Sequence, residues 1–350
     1  MLFHSYITVI IPALLSFAAT LIAVMFALNY FPRAGIIAED HNKEVVVKIP
    51  SSGGVAVMFG IVVGILAYAF GSTFILSLLG KPTFDVSSLL AVALSVVLIT
   101  FVGFIDDINV RQERVMTTDR KDIREGLKQW QKPLLTVIGA LPLMAVNVGV
   151  SIVHVPIYGA LNLFWLYPLV VLPLAVIFVA NAVNLLGGFD GLQTGMTGVA
   201  VLGMLLYSVL YGNHTGVLLS AIVLSSILAF VPFTKYKARI LPGDSYTYGV
   251  GAAMVALMAI GNMEAFGIVI FIPWIIEFLL HLKRKFKVND LGIRQHDGTM
   301  KAPYGKKIYS LAHWMMNIKP MKEYEVSRYL TLFELLFVLI ALALKFANLL

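Results

Sequence analysis

Apolar residues in this chain gather in long uninterrupted runs, unlike the alternation of a strand or the narrow stripe of a surface helix. Ten runs lie at roughly 6–31, 54–72, 87–105, 132–150, 162–182, 193–211, 216–233, 246–262, 265–282 and 329–349. Each approaches the roughly 20 residues that a helix needs to cross a bilayer. Short breaks at 212–215 and 262–264 make the sixth to ninth runs adjacent hairpins. The pattern predicts an all-α, polytopic integral membrane protein with about ten transmembrane helices, folded as a single membrane-embedded domain over 1–350. The first run is too long for a signal-peptide core and lacks a basic leader, so it reads as a retained span.

Composition supports lipid as the solvent. Of 350 residues 59% are hydrophobic and 13% charged, whereas a soluble domain is about a quarter charged. There is no cysteine, which excludes a disulfide framework and thiolate chemistry. The net charge of +7 acquires meaning only from its placement.

With both termini outside, the inner loops are 32–53, 106–131, 183–192, 234–245 and 283–328. These loops, with Lys132 at the mouth of the fourth span, hold 24 of the 26 Lys and Arg residues, Lys81 and Lys345 being the others. Such asymmetry predicts that the basic side is cytoplasmic. It also puts Asp40, Lys43, Lys48, Asp106, Asp107, Asn181, Asn184, Asp190, Asp244, Arg294 and His296 on that one face.

The polar groups at the span ends carry the candidate chemistry. Asn181-Ala-Val-Asn184-Leu-Leu-Gly187-Gly188-Phe-Asp190-Gly191-Leu-Gln193-Thr-Gly195 follows an uncharged run from Leu163 to Ala180. Amides and a carboxylate there are costly unless they line a cavity, bind something or pack between helices. Asn181 and Asn184 share a helix face, and amide oxygens suit Mg²⁺ or hydrogen bonds to bases and sugars. Asp106-Asp107 either ends a solvated helix or awaits a divalent cation or basic partner, because acids at a helix C-terminus oppose its dipole and repel each other. Asp244 in Leu241-Pro-Gly243-Asp244-Ser-Tyr-Thr-Tyr-Gly249 is either an N-cap or part of a ligand site.

The last inner loop is long and basic. Ile308, Leu311, Ala312, Met315 and Met316 recur at helical spacing opposite Lys306 and Lys307, which predicts an amphipathic helix at the inner interface. Its basic face suits anionic head groups. His154, His214 and His313 read as structural, and Glu277 with His281, one turn apart, as a pair. No P-loop, nucleotide fingerprint, zinc signature or serine-triad pattern is present. Carboxylates, amides and cations at one membrane face suit carboxylate-held Mg²⁺ acting on phosphate or diphosphate, on a substrate both phosphorylated and lipidic.

These residues resemble a known family, the polyprenyl-phosphate N-acetylhexosamine-1-phosphate transferases, over nearly the whole chain. The resemblance is carried by Asp106-Asp107, the Asn181–Gly195 segment, Gly243-Asp244, Gln129-Trp-Gln-Lys132-Pro, Gly35-Ile-Ile-Ala-Glu-Asp40-His-Asn-Lys43 and Lys48-Ile-Pro-Ser-Ser-Gly53-Gly54. It implies transfer of a sugar 1-phosphate from a UDP-sugar to a polyprenyl phosphate, with release of UMP. It further implies Asn184 and Asp244 as holders of Mg²⁺ (Mn²⁺ as a substitute), and Asp106, Asp107 and Lys132 beside the reacting phosphates. Asp40, Lys43, Asn181, Asp190, Arg294 and His296 would contact substrate, Asp190 on the nucleotide side. Bacterial wall-precursor members carry a histidine-rich triplet in the last inner loop. This chain instead has Gly292-Ile-Arg294-Gln-His296-Asp-Gly-Thr followed by Lys301-Ala-Pro-Tyr-Gly-Lys-Lys. That is similar to the eukaryotic and archaeal branch, and implies UDP-N-acetylglucosamine as donor and dolichyl phosphate as acceptor, for N-glycan assembly. The expected partners are those substrates, membrane lipids and a second copy in a homodimer, without nucleic acid. The competing readings are another UDP-N-acetylhexosamine for cell-envelope polysaccharide, a secondary transporter and a lipid-binding scaffold. Transporters place ionisable groups near the midplane within repeated halves; here they sit at one mouth.

Overall fold

The computed structural model describes residues 2–76, 78, 85–108, 130–149, 152–155 and 159–350. Arg111 to Gln129, with all six of the second inner loop's basic residues, lies outside the described residues, as does Lys81.

All ten apolar runs carry helices. They are α1 (Leu2–Tyr30), α2 (Gly54–Gly71), α3 (Val86–Ile108), α4 (Gln131–Ala145), α5 (Leu172–Leu185), α6 (Leu192–Leu210), α7 (His214–Thr234), α8 (Gly243–Gly261), the pair α9 (Glu264–Ile270) and α10 (Ile272–Leu282), and α12 (Glu323–Phe346). Between the last two lies the short helix α11 (Leu311–Ile318). Among the described residues, seven helices are long and apolar enough to cross a membrane, or eight if α9 and α10, bent by 57°, make one span. Two of the ten expected spans fall short. α4 has only 15 residues, and α8 opens with Gly-Asp-Ser-Tyr-Thr-Tyr, which lowers its hydropathy.

The chain is mostly helical rather than all-helical, for among the described residues three small antiparallel sheets join the bundle. The hairpin β1 (Ile37–Asp40) with β2 (Val47–Pro50) fills the first loop. A second hairpin joins β3 (Ile152–Val155) to β4 (Gly159–Asn162). The last loop forms a three-stranded sheet from β5 (Ile293–Arg294), β6 (Thr299–Lys301) and β7 (Met321–Lys322). Runs this short do not rise above a helix-dominated hydropathy pattern.

α8 is the hub. It touches α2, α3, α4, α5, α6, α7 and α9, and almost every residue from Ser245 to Gly261 is buried. Small residues permit the close approach that drives association in lipid. At Gly103 of α3 a Cβ would lie 2.4 Å from the Asp244 carbonyl oxygen, so α3 meets the start of α8 backbone to backbone. Buried hydroxyls tie other helices together. Ser16 and Ser226 lie 2.7 Å apart between α1 and α7, and Thr197 and Tyr246 2.6 Å apart between α6 and α8.

α11 begins where the Ser310 hydroxyl accepts the Ala312 N–H at 3.2 Å, a Ser N-cap. Leu311, Ala312, His313, Met315 and Met316 are buried, and the helix packs on α10, α12 and β6. Its apolar face therefore serves the protein core.

Candidate active site

The ends of α3, α4 and α5 and the start of α8 converge, and their polar residues build one cluster. Lys132, in the first turn of α4, places its Nζ 2.6 Å from Asp106 Oδ2 and 3.1 Å from Asp244 Oδ2. Asp106 is buried, while the Lys132 and Asp244 side chains stay about a quarter exposed. The cation thus bridges two carboxylates at an accessible edge.

Asp107, next in sequence, faces another way. Its Oδ1 accepts the Asp244 N–H at 2.8 Å, and its Oδ2 accepts the Ser245 N–H at 3.2 Å and the Ser52 hydroxyl at 2.8 Å. The first N–H groups of a helix have no partner within it and favour negative charge. Asp107 supplies both, from the end of a different helix. Gly243 makes this possible: its φ is +73°, and a Cβ there would come within 2.4 Å of Asp107 Oδ2. The capping role that the sequence leaves open for Asp244 therefore belongs to Asp107. The Asp244 carboxylate turns instead to Lys132.

Asn184 lies near the end of α5. The Tyr248 hydroxyl, one turn along α8 from Asp244, interacts electrostatically with Asn184, Asp244, Asp106 and Lys132. Among the described residues, Asp106 and Asp244 present two carboxylates at this edge with the Lys132 ammonium between them, while Asp107 is spent on the head of α8. Two carboxylates against one ammonium leave one formal negative charge, and carboxylate and amide oxygens are the hard donor types that suit Mg²⁺. Asn181 is engaged otherwise: its Nδ2 donates to the Ile177 carbonyl at 2.7 Å and to Thr136 Oγ1 at 3.4 Å. It ties α5 to α4.

A second cluster lies where the β1–β2 hairpin meets the break between α5 and α6. Lys43 Nζ is 2.8 Å from Asp40, Asp190 and Glu323 alike. The Asp190 N–H donates to Glu323 Oε1 at 3.0 Å, and Asp190 Oδ2 accepts the Ala238 N–H at 2.8 Å. Asn42 donates its side-chain N–H to the Gly188 carbonyl. Burial would lower the Lys43 pKa, but Asp190, Asp40 and Glu323 together hold it above the ordinary lysine value. Burial pushes the Asp190 carboxyl up against the pull of Lys43 and the Ala238 N–H. This ionic knot fixes the hairpin, the α5–α6 break and the start of α12 against one another.

Arg294 and His296 stand on a third element, the β5–β6 turn. The turn is held by Asp297, whose Oδ1 accepts the Thr299 N–H at 2.9 Å and hydroxyl at 2.7 Å. Neither Arg294 nor His296 contacts either cluster among the described residues, and His296 is exposed. The approach is made by Leu291, whose side chain packs over Gly188.

Glu323, Ser52, Asn42 and Tyr248 join these clusters without having been singled out from the sequence. Glu323 stands at the start of α12, ahead of the last apolar run, where an acidic residue reads as an ordinary helix N-terminus. Ser52 and Asn42 are common loop residues, and Tyr248 lies within an apolar helix.

The chain is similar to named proteins over most of its length. Residues 89–262 match the family model described as glycosyl transferase family 4. A relative from Saccharolobus solfataricus is 32% identical over 97% of each chain. One from Sulfolobus acidocaldarius is 27% identical over 96% of each. Both are provisionally named UDP-N-acetylglucosamine–dolichyl-phosphate N-acetylglucosaminephosphotransferase. A phospho-N-acetylmuramoyl-pentapeptide-transferase from Streptococcus mutans is 29% identical over 77% of each chain.

Proposed function

The chain belongs to glycosyl transferase family 4 and is a membrane-embedded glycosyl-1-phosphate transferase; on that premise we propose that it moves N-acetylglucosamine 1-phosphate from UDP-N-acetylglucosamine to dolichyl phosphate. The products are UMP and a lipid diphosphate sugar, the first membrane intermediate of N-glycan or related glycan assembly. The names of the two relatives that span nearly the whole chain support the donor and the acceptor. The basic loops support an active site on the cytoplasmic side and both termini outside.

The observation that carries the chemistry is Lys132 bridging Asp106 and Asp244 at the edge of the bundle. An acceptor phosphate oxygen attacks the sugar-linked phosphorus in line. A new P–O bond forms there as the anhydride bond to UMP breaks, and the bridging oxygen leaves with UMP. The second pKa of a phosphate monoester is about 6, so the nucleophile is largely ionised at neutral pH and needs no strong base. What remains is positioning and charge compensation. Lys132 offers its ammonium to the phosphate oxygens, oriented by Asp106. Asp107 positions the start of α8, and so Asp244, without touching the reacting atoms. Asn184 and Asp244 would hold Mg²⁺, which when bound neutralises the donor diphosphate and the leaving UMP. Asp190, Asp40 and Lys43 shape the nucleotide side, while Arg294 and His296 reach the donor from the β5–β6 turn. Asn181 acts through helix packing.

The test is incubation of the purified protein with labelled UDP-N-acetylglucosamine or other labelled UDP-N-acetylhexosamines, and polyprenyl phosphates of several lengths and saturations. Lipid-linked label from the first donor with stoichiometric UMP is expected. Preference for another donor overturns the sugar assignment. Label crossing sealed vesicles unchanged, without UMP, overturns the reaction.

A further inference from the structure

A cavity of about 440 Å³ opens on the outside of the ionic knot, where the starts of α6 and α12 meet the chain leaving α7. Its walls include Lys235, Tyr236, Tyr324, Ser327, Arg328 and Leu332. Asp190 forms part of its floor, with Oδ2 turned to Lys43 and the Ala238 N–H.

Four features of this cavity point to one kind of ligand. Lys235 and Arg328 are exposed cations and make no ion pair among the described residues. Ser327 is 6% exposed, and its hydroxyl has no hydrogen-bond partner among the described residues. A buried hydroxyl left unmatched costs free energy that a hydrogen-bonding ligand would recover. Tyr236 and Tyr324 form a ring pair, centroids 5.6 Å apart, of the amphipathic type that sits at head-group level. Finally, Leu332, Leu336 and Leu339 are each about half exposed and recur at helical spacing on α12, so an apolar stripe leads from the cavity along the membrane.

We infer that this cavity binds the anionic phosphate head group of a membrane phospholipid, with its chains along the Leu332–Leu336–Leu339 face. Lys235 and Arg328 pair with the phosphate oxygens, and Ser327 donates its hydroxyl to one of them. The site is separate from the Lys132 cluster and does not depend on the reaction proposed above. Its occupant ties the end of α7 to α12 across the knot that fixes the nucleotide side.

The test measures lipid retention and unfolding temperature, not activity. The protein is reconstituted into phosphatidylcholine bilayers with and without phosphatidylglycerol, and retained lipid is counted by native mass spectrometry. Wild type should retain phosphatidylglycerol and unfold at higher temperature in its presence. The double variant Lys235→Gln/Arg328→Gln should bind it about thirty-fold more weakly and lose the thermal gain. Lys283→Gln/Lys306→Gln, which removes the same charge elsewhere on the basic face, should keep both. Ser327→Ala should fold as well as wild type in phosphatidylcholine and still lose retention. Equal losses in the two double variants, or no retention by wild type, overturn the site. Inorganic phosphate in detergent that protects wild type as well as the lipid does overturns the lipid as its source.

Discussion

The backbone N–H of Asp244 donates to the carboxylate of Asp107 at 2.8 Å, while the Asp244 carboxylate turns away to Lys132. Asp107 and Asp244 therefore have different work. One holds a helix end, and the other faces the accessible edge.

Asp106 and Asp107 should separate experimentally. Asp107→Ala leaves two N–H groups at the head of α8 and the Ser52 hydroxyl without their acceptor, a loss of about 1–3 kcal/mol. The unfolding temperature in detergent should drop by several degrees and activity should fall with it. Asp106→Asn should abolish UMP release and leave the unfolding temperature close to wild type. Equal thermal losses in both would remove the distinction.

Lys132→Gln removes the ammonium that bridges Asp106 and Asp244. Loss of a preorganised charge partner in a phosphate-transfer site costs about 10²–10³-fold in kcat. Arginine at this position should recover only part of that, because a planar fork does not replace a compact ammonium. Single-turnover measurement of lipid-linked label is the check, and near-wild-type turnover by Lys132→Gln would falsify its role.

Lys43→Met leaves Asp40, Asp190 and Glu323 buried together without their cation. Breaking a buried charge pair from one side costs about 3–5 kcal/mol. Adding Glu323→Gln removes one of the stranded charges, so the double variant should be more stable than additivity predicts, by about 1–3 kcal/mol. A strictly additive thermal or denaturant cycle would show that the knot is not cooperative.

Removal of divalent cations by chelation should abolish turnover, with recovery on adding Mg²⁺ and a weaker recovery with Mn²⁺. Asp244→Asn and Asn184→Ala should each raise the Mg²⁺ concentration needed for half-maximal rate by about tenfold or more. Full activity of either variant at limiting Mg²⁺ would remove that residue from the metal site.

The tether around α11 should weaken on acidification. Burial lowers the His313 pKa, and its two nitrogens meet the Asn289 carbonyl at 3.0 Å and the Tyr309 N–H at 3.4 Å. These partners fix a neutral ring with Nδ1 as acceptor. The folded-state pKa lies below the unfolded one, so the unfolded state binds the proton first as pH falls. The stability is full above about pH 6.5 and declines below it, by at most about tenfold in the opening equilibrium per pH unit. Hydrogen exchange across 283–322 at pH 7.5 and 5.5 reads this, and His313→Gln should flatten the dependence.

The bundle and most of its polar ends were legible because uncharged runs and charge asymmetry need no tertiary information. Partnership was not. Asp106 and Asp107 are neighbours on the chain, and only the close approach of α3 to α8 at Gly103 assigns their carboxylates to different jobs. Glu323 lies 280 residues from Lys43, and nothing local marks it as part of the same knot. Asn181 and Asn184 share a face by spacing, yet Thr136 on α4 claims one and the Tyr248 side of α8 meets the other. The small hairpins escaped because four-residue strands carry too short a pattern to compete with the surrounding helical runs.

The placement of α8 also bears on how the protein is made. A helix walled off by its neighbours is never required to partition into lipid alone, and so can afford the Gly-Asp-Ser-Tyr-Thr-Tyr opening that the catalytic end needs. That same opening makes it a poor insertion signal for the translocation machinery. α8 is therefore expected to enter the bilayer together with the strongly apolar α7 before it and the α9–α10 pair after it. Truncation of the nascent chain soon after Gly261 should leave α8 outside the membrane, readable with a glycosylation tag. Biogenesis of this end of the active site then becomes a collective event, set by the hydrophobicity of helices that carry little of the chemistry.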